Sequence, residues 1–173
     1  MDKPKYIAIA AITLDGKIAK GPGHMSDWTS KEDKLFMRAL LNTCDVVVVG
    51  NNTYKTAIKP LSKRNCIVFS RSANQLISES ANLLYINPAK TDFKKLIRRL
   101  KYSKIALLGG AQTYSWFLER GMIDELYLTI EPLAFAGGVS LFANQKMADY
   151  KFKLVSVKKL NAQGSLLLSY KSL

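Results

Sequence analysis

The sequence is poor in cysteine and histidine, which form the disulfides of small secreted domains and bind metal ions. Among 173 residues it has two cysteines and one histidine, and the cysteines, Cys44 and Cys66, show neither a CxxC spacing nor a metal-ligand spacing. We therefore predict reduced thiols, no metal site and a cytoplasmic protein. No apolar run approaches the about 18 residues that a membrane helix needs, so we expect no contact with a membrane.

Acidic residues are also scarce, and the balance of charge is strongly basic. Lys and Arg number 26 against 13 Asp and Glu, which gives a net charge of +13. A solvated basic surface, attraction of small anions and nucleic-acid binding would each fit that charge. The densest basic stretch, residues 92–104, has apolar residues at helical spacing, so a packed helix with a basic outer face explains it. Because zinc-finger spacing and RNP-like aromatic motifs are missing, we do not expect a nucleic-acid partner.

Apolar patterns of strand and helix period alternate along the chain and end in a pair of strands. The β-branched run at 45–49 is typical of a parallel strand that is buried on both faces. We predict one α/β domain over residues 1–173, with a mostly parallel sheet and an antiparallel C-terminal hairpin. Ser30 followed by Asp33 resembles a capping box that starts the first helix. Helices are predicted at 31–43, near Thr53, at 91–101 and at 112–120, and strands at 5–14, 45–49, 66–70, 83–86, 104–108, 124–131, 150–159 and 165–171.

Glycines and small polar residues follow three of the predicted strands. Gly50 to Thr53 follow one strand, Ser70 and Arg71 end the next, and Gly109 and Gly110 follow a third. Ligands of parallel sheets bind beyond the carboxyl ends of the strands, and these residue types suit phosphate oxygens. The GxGxxG and P-loop motifs are both absent, which argues against an ordinary Rossmann or P-loop site. We therefore predict a phosphorylated dinucleotide that lies across the ends of the sheet.

Five segments carry a resemblance to a known family: "IAIAAITLDGKIA", "GNNTY", "PLSKRNCIVFSR", "LLGGAQTY" and "DELYLTIEP". They stand in the order found in dihydrofolate reductase, whose fold is shared by the reductase domain of riboflavin biosynthesis. The resemblance implies a three-layer fold with helices on both faces of the sheet, NADPH as the hydride donor, and a cis peptide between the paired glycines. It implies cofactor binding by Ala11, Ile18, Gly50, Asn51, Asn52, Thr53, Ser70, Arg71, Gly109, Gly110, Ala111, Gln112, Thr113 and Tyr114.

The same resemblance implies a substrate site built around an acid early in the first helix. Glu32 and Asp33 both stand at that place, and the family's acid meets the 2-amino group and ring N3 of the pterin. We favour Glu32, because Phe36 follows it by four residues on one helix face, as the family's aromatic residue does. Thr129 matches the threonine that supports this carboxylate. Contacts with the substrate are implied for Ile9, Phe36 and Arg64, the last through the glutamate carboxylate of folate.

Some features depart from the dihydrofolate reductase pattern. Asn51 and Asn52 stand where the family often has Arg or Lys, and the loop "AFAGGVSLF" looks more like the riboflavin-pathway reductases. The Asp-Asp-Pro stretch of that second group is absent, however. We predict NADPH-dependent reduction of 7,8-dihydrofolate, with hydride transfer to pterin C6 and protonation of N5. The alternatives are reduction of a ribosylamino-pyrimidine phosphate and a basic nucleotide- or nucleic-acid-binding protein without reductase activity. We expect a monomer or a homodimer.

Overall fold

Strands and helices alternate along most of the chain. A computed structural model describes residues 3–73, 77–143 and 147–173. In the described part of the chain, no helix is long and apolar enough to cross a membrane. The helices are α1 (Lys31–Leu41), α2 (Asn51–Thr56), α3 (Ile58–Leu61), α4 (Phe93–Leu100) and α5 (Ala111–Leu118), and a 3-10 turn (Ser26–Trp28) precedes α1. The strands are β1 (Lys5–Ile12), β2 (Lys17–Ala19), β3 (Val46–Gly50), β4 (Cys66–Phe69), β5 (Ile77–Ser80), β6 (Leu83–Ile86), β7 (Lys104–Leu107), β8 (Glu125–Ile130), β9 (Val139–Ser140), β10 (Phe152–Lys159) and β11 (Leu166–Ser172).

Nine of these strands form one mixed sheet in the order β10-β11-β8-β1-β7-β3-β4-β6-β5. The pairs from β8 to β6 are parallel, whereas β11 and β10 on one side and β5 on the other are antiparallel. The predicted α/β fold, with its parallel centre and C-terminal hairpin, is confirmed. Because the central strands are parallel, the carboxyl ends of β1, β3, β4, β7 and β8 share one edge of the sheet.

Helices cover both faces of the sheet, and a hydrophobic cluster fills each interface. On one face, Ile7 and Leu41 belong to the cluster under α1. On the other face, the rings of Phe69, Phe93 and Phe117 pack together beneath α4 and α5, with centroids 5.3 to 5.6 Å apart. The predicted three-layer arrangement is confirmed.

The run Val46–Val49 shows why the sequence specifies a central strand here. All four valines are at most 2% exposed, because α1 lies over one face of β3 and α5 over the other. A strand that is covered on both faces can be apolar at every position, and β-branched side chains pack well on a pleated surface.

The basic stretch forms the amphipathic helix α4, as predicted. Phe93, Leu96 and Ile97 are buried, whereas the cations between residues 94 and 101 are exposed. Asp92 caps the helix, since its carboxylate accepts the N–H of Lys95 at 3.0 Å. Packing of the apolar face therefore accounts for the helix without any ligand.

The chain between β1 and α1 differs from the prediction. β1 ends at Ile12 rather than at residue 14, because Thr13 closes a tight turn in which its hydroxyl accepts the N–H of Lys17 at 2.9 Å. The short strand β2 follows and pairs with β9, more than a hundred residues further along the chain. We did not predict β2, β9 or the edge strand β5, because strands this short have little periodicity of their own.

Phe117 should be the most costly aromatic side chain to truncate, because it is fully buried among other rings. We expect Phe117→Ala to lower the free energy of unfolding by about 3–5 kcal/mol, through lost burial and a residual cavity. Equilibrium unfolding in guanidinium chloride measures this loss. Val157→Ala, on the exposed face of β10, should cost less than about 0.5 kcal/mol. Equal losses at the two positions would contradict this assignment of the core.

Candidate active site

The carboxyl ends of β3 and β7 meet at Gly50, Gly109 and Gly110, which we call the glycine junction. The N–H of Gly50 donates to the carbonyl of Gly109 at 2.6 Å. A Cβ at Gly50 would lie 2.9 Å from Oγ1 of Thr113, and a Cβ at Gly110 would lie 3.2 Å from Oγ1 of Thr53. Gly109 has a φ of +83°, which favours glycine, and the Gly109–Gly110 peptide is cis, as predicted. Side chains at this junction would fill the space between the two strand ends.

Two helices begin at the glycine junction, α2 after Gly50 and α5 after Gly110. Their first backbone N–H groups lie at the positive ends of the helix dipoles. The hydroxyls of Thr53 and Thr113 stand beside the glycines. The structure thus brings residues 50–53 and 109–113 together at one edge of the sheet, and such an edge is suited to an anion.

Ser70 and Arg71 follow the neighbouring strand β4, whose last residue lies opposite Gly50 in the sheet. Ser70 is 7% exposed, and its Oγ lies 2.9 Å from Oγ of Ser72. Arg71 has an exposed side chain, while its carbonyl accepts Nδ2 of Asn87 at 3.0 Å. The loop is therefore held by its backbone, which leaves the guanidinium facing solvent one strand away from the glycine junction.

Tyr114 has a different role from the other residues of its motif. The side chain is 4% exposed, and its hydroxyl donates to the carbonyl of Ile9 at 2.5 Å. Burial raises the pKa of this hydroxyl, and the nearby charge of Asp33 adds to the rise. Tyr114 thus ties α5 to β1, and its ring lies against the glycine junction, since a Cβ at Gly109 would be 2.5 Å from it. The predicted contact of Tyr114 with a cofactor stays a prediction.

The buried acid at the start of α1 is Asp33, and the preference for Glu32 is wrong on this point. Asp33 is 6% exposed, and its carboxyl accepts a hydrogen bond from the hydroxyl of Thr129, which is 1% exposed. Burial raises the pKa of Asp33, and the negative charge of Glu131 raises it further, while hydrogen bonds from Thr129 and Thr29 oppose the rise. A carboxyl held in this way can accept hydrogen bonds from a ligand or carry a proton.

Glu32 and Phe36 share the helix face that covers β8 and the C-terminal hairpin. The carboxylate of Glu32 accepts Nδ2 of Asn161 at 3.2 Å, and the ring of Phe36 lies 5.5 Å from that of Tyr127. Hydrogen bonds from its own backbone N–H and from Asn161 lower the pKa of Glu32. Helix spacing shows that residues 32 and 33 point about 100° apart, but it does not show which of them faces the sheet.

The floor of the site is formed by β1 and β8. Ala11 lies directly opposite Thr129 in the register of these strands, and the predicted substrate residue Ile9 lies opposite Tyr127. Ile9 is 5% exposed and belongs to the hydrophobic cluster under α1, so the structure supports a packing role for its side chain. Ala11, Thr129 and Asp33 are the predicted residues that the structure brings together here.

The segment from Thr13 to Trp28 lies against the loop that follows β8. The carboxylate of Asp15 accepts the N–H groups of Phe135 and Ala136 at 3.1 and 3.0 Å, and the ring of Trp28 lies 5.1 Å from that of Phe135. Ile18 is half-buried on β2 within this segment. Nε1 of Trp28 is buried and has no hydrogen-bond partner in the described residues. An orphaned donor of this kind calls for a partner, which a ligand can supply.

Arg64 does not join the other predicted site residues. It precedes β4, so it lies at the amino edge of the parallel strands, whereas the glycine junction lies at the carboxyl edge. Its Nη2 donates to Oδ1 of Asn42 at 2.6 Å, beside a cavity of about 260 Å³ that Cys44 and Lys63 also line. Arg64 therefore lies on a separate part of the surface. Its predicted contact with the glutamate carboxylate of folate stays a prediction.

Glu131 is a second buried acid, and we did not predict it from the sequence. It is 3% exposed and follows directly after β8. One carboxylate oxygen accepts the N–H of Ser30 at 2.7 Å, and the other accepts the hydroxyl of Ser165. Asn161 donates to Ser165 as well as to Glu32. The only signal for Glu131 in the sequence is its place at the end of a predicted strand. Its hydrogen-bond partners, Ser30 and Ser165, lie 101 and 34 residues away in the sequence.

Comparison with known proteins agrees with this architecture. The family model described as the RibD C-terminal domain matches residues 4–165. The chain belongs to the RibD C-terminal domain family. A relative in this comparison is the uncharacterized protein YyaP of Bacillus subtilis, which is 25% identical over 158 residues, 82% of each chain.

Solved structures of low sequence identity share the fold of this RibD-family chain. A diaminohydroxyphosphoribosylaminopyrimidine deaminase/5-amino-6-(5-phosphoribosylamino)uracil reductase of Thermotoga maritima aligns with a TM-score of 0.74 and 18% identity, over 98% of this chain and 57% of that one. Dihydrofolate reductase of Enterococcus faecalis, in a complex with NADP(H), aligns with a TM-score of 0.68 and 20% identity, over 97% of this chain and 96% of that one.

The two acids at the start of α1 should affect stability with opposite dependence on pH. The pKa of Asp33 is raised from 3.8 in the folded protein, so the native state holds the extra proton and loses stability as pH rises through this window. The unfolding free energy of wild type minus that of Asp33→Asn should therefore fall as pH rises above about 4.

The pKa of Glu32 is lowered from 4.5, so its stabilising contribution is present above that pH and is lost as pH falls. Wild type minus Glu32→Gln should therefore rise with pH. Urea unfolding of the three proteins over a pH series measures both differences. The assignment of the buried acid fails if the two slopes are exchanged.

Proposed function

We propose that this chain is an NADPH-dependent reductase whose substrate is a pyrimidine that carries a ribosylamino phosphate. The observation that carries the proposal is that Tyr114 links two buried features: its ring lies against the glycine junction, where a Cβ at Gly109 would be 2.5 Å away, and its hydroxyl is affected by the charge of the buried Asp33. The carboxyl of Asp33 can bind polar groups of a substrate ring, and the glycine junction is suited to phosphate groups. A reductase that uses a dinucleotide must hold the cofactor phosphates and orient the substrate, and these two features suit those two tasks.

The residues at the carboxyl edge fit a phosphorylated dinucleotide. The close approach at the glycine junction leaves space that a Cβ would fill, and the N–H groups of α2 and α5 with the hydroxyls of Thr53 and Thr113 would hold a pyrophosphate. Arg71 with Ser70 would receive the 2′-phosphate, since a guanidinium suits a phosphate monoester. When bound, NADPH supplies the hydride.

The substrate would lie against Asp33 and Thr129. As a carboxylate, Asp33 would accept hydrogen bonds from ring N–H groups, and the Thr129 hydroxyl would fix the orientation of the carboxyl. Nε1 of Trp28 would donate to a carbonyl oxygen of the ring. The RibD-family match over most of the chain favours the ribosylamino-pyrimidine phosphate over dihydrofolate, which the sequence alone favours.

Dihydrofolate is the second candidate, and a specific observation supports it. The 2-amino group and N3 of a pterin present two neighbouring donors, and a buried carboxylate that is supported by a threonine hydroxyl is the acceptor which that edge requires. Asp33 therefore fits both substrates. The two candidates differ in what is attached to the ring, which is a sugar phosphate in one and an aminobenzoyl-glutamate in the other.

Turnover should depend on Asp33 and not on Glu32. We expect the purified protein to oxidise NADPH faster with the ribosylamino-pyrimidine phosphate than with dihydrofolate, as followed by the absorbance of reduced nicotinamide. Asp33→Asn should lower kcat/KM by about a hundredfold or more, because an amide supplies neither a charged acceptor nor a titratable proton to the ring. Glu32→Gln is the matched control and should stay within about threefold of wild type. Oxidation with neither substrate would refute the proposed function, and faster oxidation with dihydrofolate would favour the second candidate.

Arg71 should select NADPH over NADH. Loss of one charge-assisted contact with a phosphate costs about 1.5–3 kcal/mol, so Arg71→Ala should raise the dissociation constant of NADPH about tenfold to a hundredfold. The dissociation constant of NADH should hardly change, because NADH lacks the 2′-phosphate. Titration calorimetry measures both constants, with Arg99→Ala on the exposed face of α4 as the control. Equal affinity of the wild-type protein for the two cofactors would contradict this role.

A further inference from the structure

The buried carboxylate of Glu131 joins three separate parts of the fold. Its backbone N–H donates to the carbonyl of Ile12 at 2.9 Å, which holds the residue beside β1. Its side chain accepts the N–H of Ser30, just before α1, and the hydroxyl of Ser165 in the C-terminal hairpin. Both carboxylate oxygens act as acceptors, and the side chain is almost completely buried. Such a group is costly to bury unless its hydrogen bonds are made, so it fixes the elements around it.

The bond to Ser30 changes how α1 is capped. In a capping box, the side chain three residues after the N-cap reaches back to the N–H of the N-cap residue. Ser30 makes the first half of this motif, because its Oγ accepts the N–H of Asp33 at 3.2 Å. The second half would use the carboxylate of Asp33, but Glu131 already occupies the N–H of Ser30. Asp33 is thereby released from capping and can turn towards Thr129.

We propose that Glu131 is a positioning residue for the acid of the active site: by taking the N–H of Ser30, it leaves the carboxyl of Asp33 free to meet the substrate. The effect of Glu131 on turnover rests on the proposed function. The effect of Glu131 on the Asp33 carboxyl does not. Glu131 touches neither substrate nor cofactor in this scheme. It acts through the amino end of α1.

Electrostatics couples the two acids as well. The groups that act on Asp33 are the charge of Glu131 after β8, the Thr129 hydroxyl on β8, the Thr29 hydroxyl before α1 and the Lys34 ammonium on α1. On the other side, the Tyr114 hydroxyl of α5 is affected by the charge of Asp33. Glu131 is the like charge in this set, so it favours the protonated form of Asp33.

Two substitutions separate the charge of Glu131 from its hydrogen bonds. In Glu131→Gln, the amide oxygen can accept the N–H of Ser30 while the amide nitrogen donates to Oγ of Ser165, so the arrangement survives without the charge. In Glu131→Ala, the N–H of Ser30 loses its acceptor, and the carboxylate of Asp33 is free to complete the capping box. Glu79→Gln, which removes an exposed acid on β5, controls for the change in net charge.

The direct test follows the ionisation of Asp33 by carboxyl ¹³C NMR in the free protein. We expect Glu131→Gln to lower the pKa of Asp33, because a like charge is removed, and Glu131→Ala to lower it too, because a carboxylate that accepts a backbone N–H is stabilised. Glu79→Gln should leave it unchanged. This measurement needs no substrate, so it decides the proposal even if the proposed reaction is not found. A pKa of Asp33 in Glu131→Ala that is no lower than in Glu131→Gln would overturn the proposal, because the bond from Ser30 to Glu131 would then have no effect of its own on Asp33.

Steady-state kinetics of the Glu131 variants provides a second test. Glu131→Gln should keep kcat within about threefold of wild type and move the pH limb of kcat/KM that reports Asp33 to lower pH. Glu131→Ala should lower kcat on the order of tenfold to a hundredfold, because a misplaced group loses its alignment with the substrate. A purely structural role would instead lower the thermal stability of both variants and leave the pH limb in place, which would also overturn the proposal.

Discussion

The close approach of β3 and β7 at the glycine junction is the constraint on which the rest of the site depends. The bond of 2.6 Å between Gly50 and Gly109 brings two parallel strands together where both of them end. Two helices then start within a few ångströms of each other and point their N–H groups to the same edge of the sheet. A Cβ at Gly50 or Gly110 would crowd the hydroxyl of Thr113 or Thr53, so space favours glycine there. At Gly109 both the positive φ and the ring of Tyr114 require it.

A second constraint acts on the other half of the site. There the chain buries acidic side chains, whereas at the glycine junction it has no side chains. Asp33 and Glu131 are both enclosed, and each depends on hydroxyl or N–H partners from other elements. Tyr114 links the two halves, because its ring lies against Gly109 of the junction, its hydroxyl bonds to Ile9 of β1, and the charge of Asp33 contributes to its raised pKa. Burial of charge is costly, so this arrangement is more readily explained by chemistry at Asp33 than by stability.

Local patterns in the sequence are enough to predict much of this molecule. The valine run of β3, the amphipathic α4 and the paired glycines each follow from period or from residue type, and the structure agrees with them. The choice between Glu32 and Asp33 could not be made in this way, because periodicity gives the angle between two side chains but not the face that meets the sheet. Glu131 could not be found either, since its partners come from elements that only the folded topology brings together. The same holds for β2 and β9.

Hydrogen exchange of the backbone can show whether a dinucleotide binds across the carboxyl edge of the sheet, as we propose. The exchange rates of the free protein should be compared with those at a saturating concentration of NADPH, by mass spectrometry of peptic peptides. We expect slower exchange in peptides that cover residues 50–53, 70–73 and 109–114, where the strands β3, β4 and β7 lead into the next elements. Protection confined to the amino edge around Arg64, with unchanged exchange at the glycine junction, would contradict it.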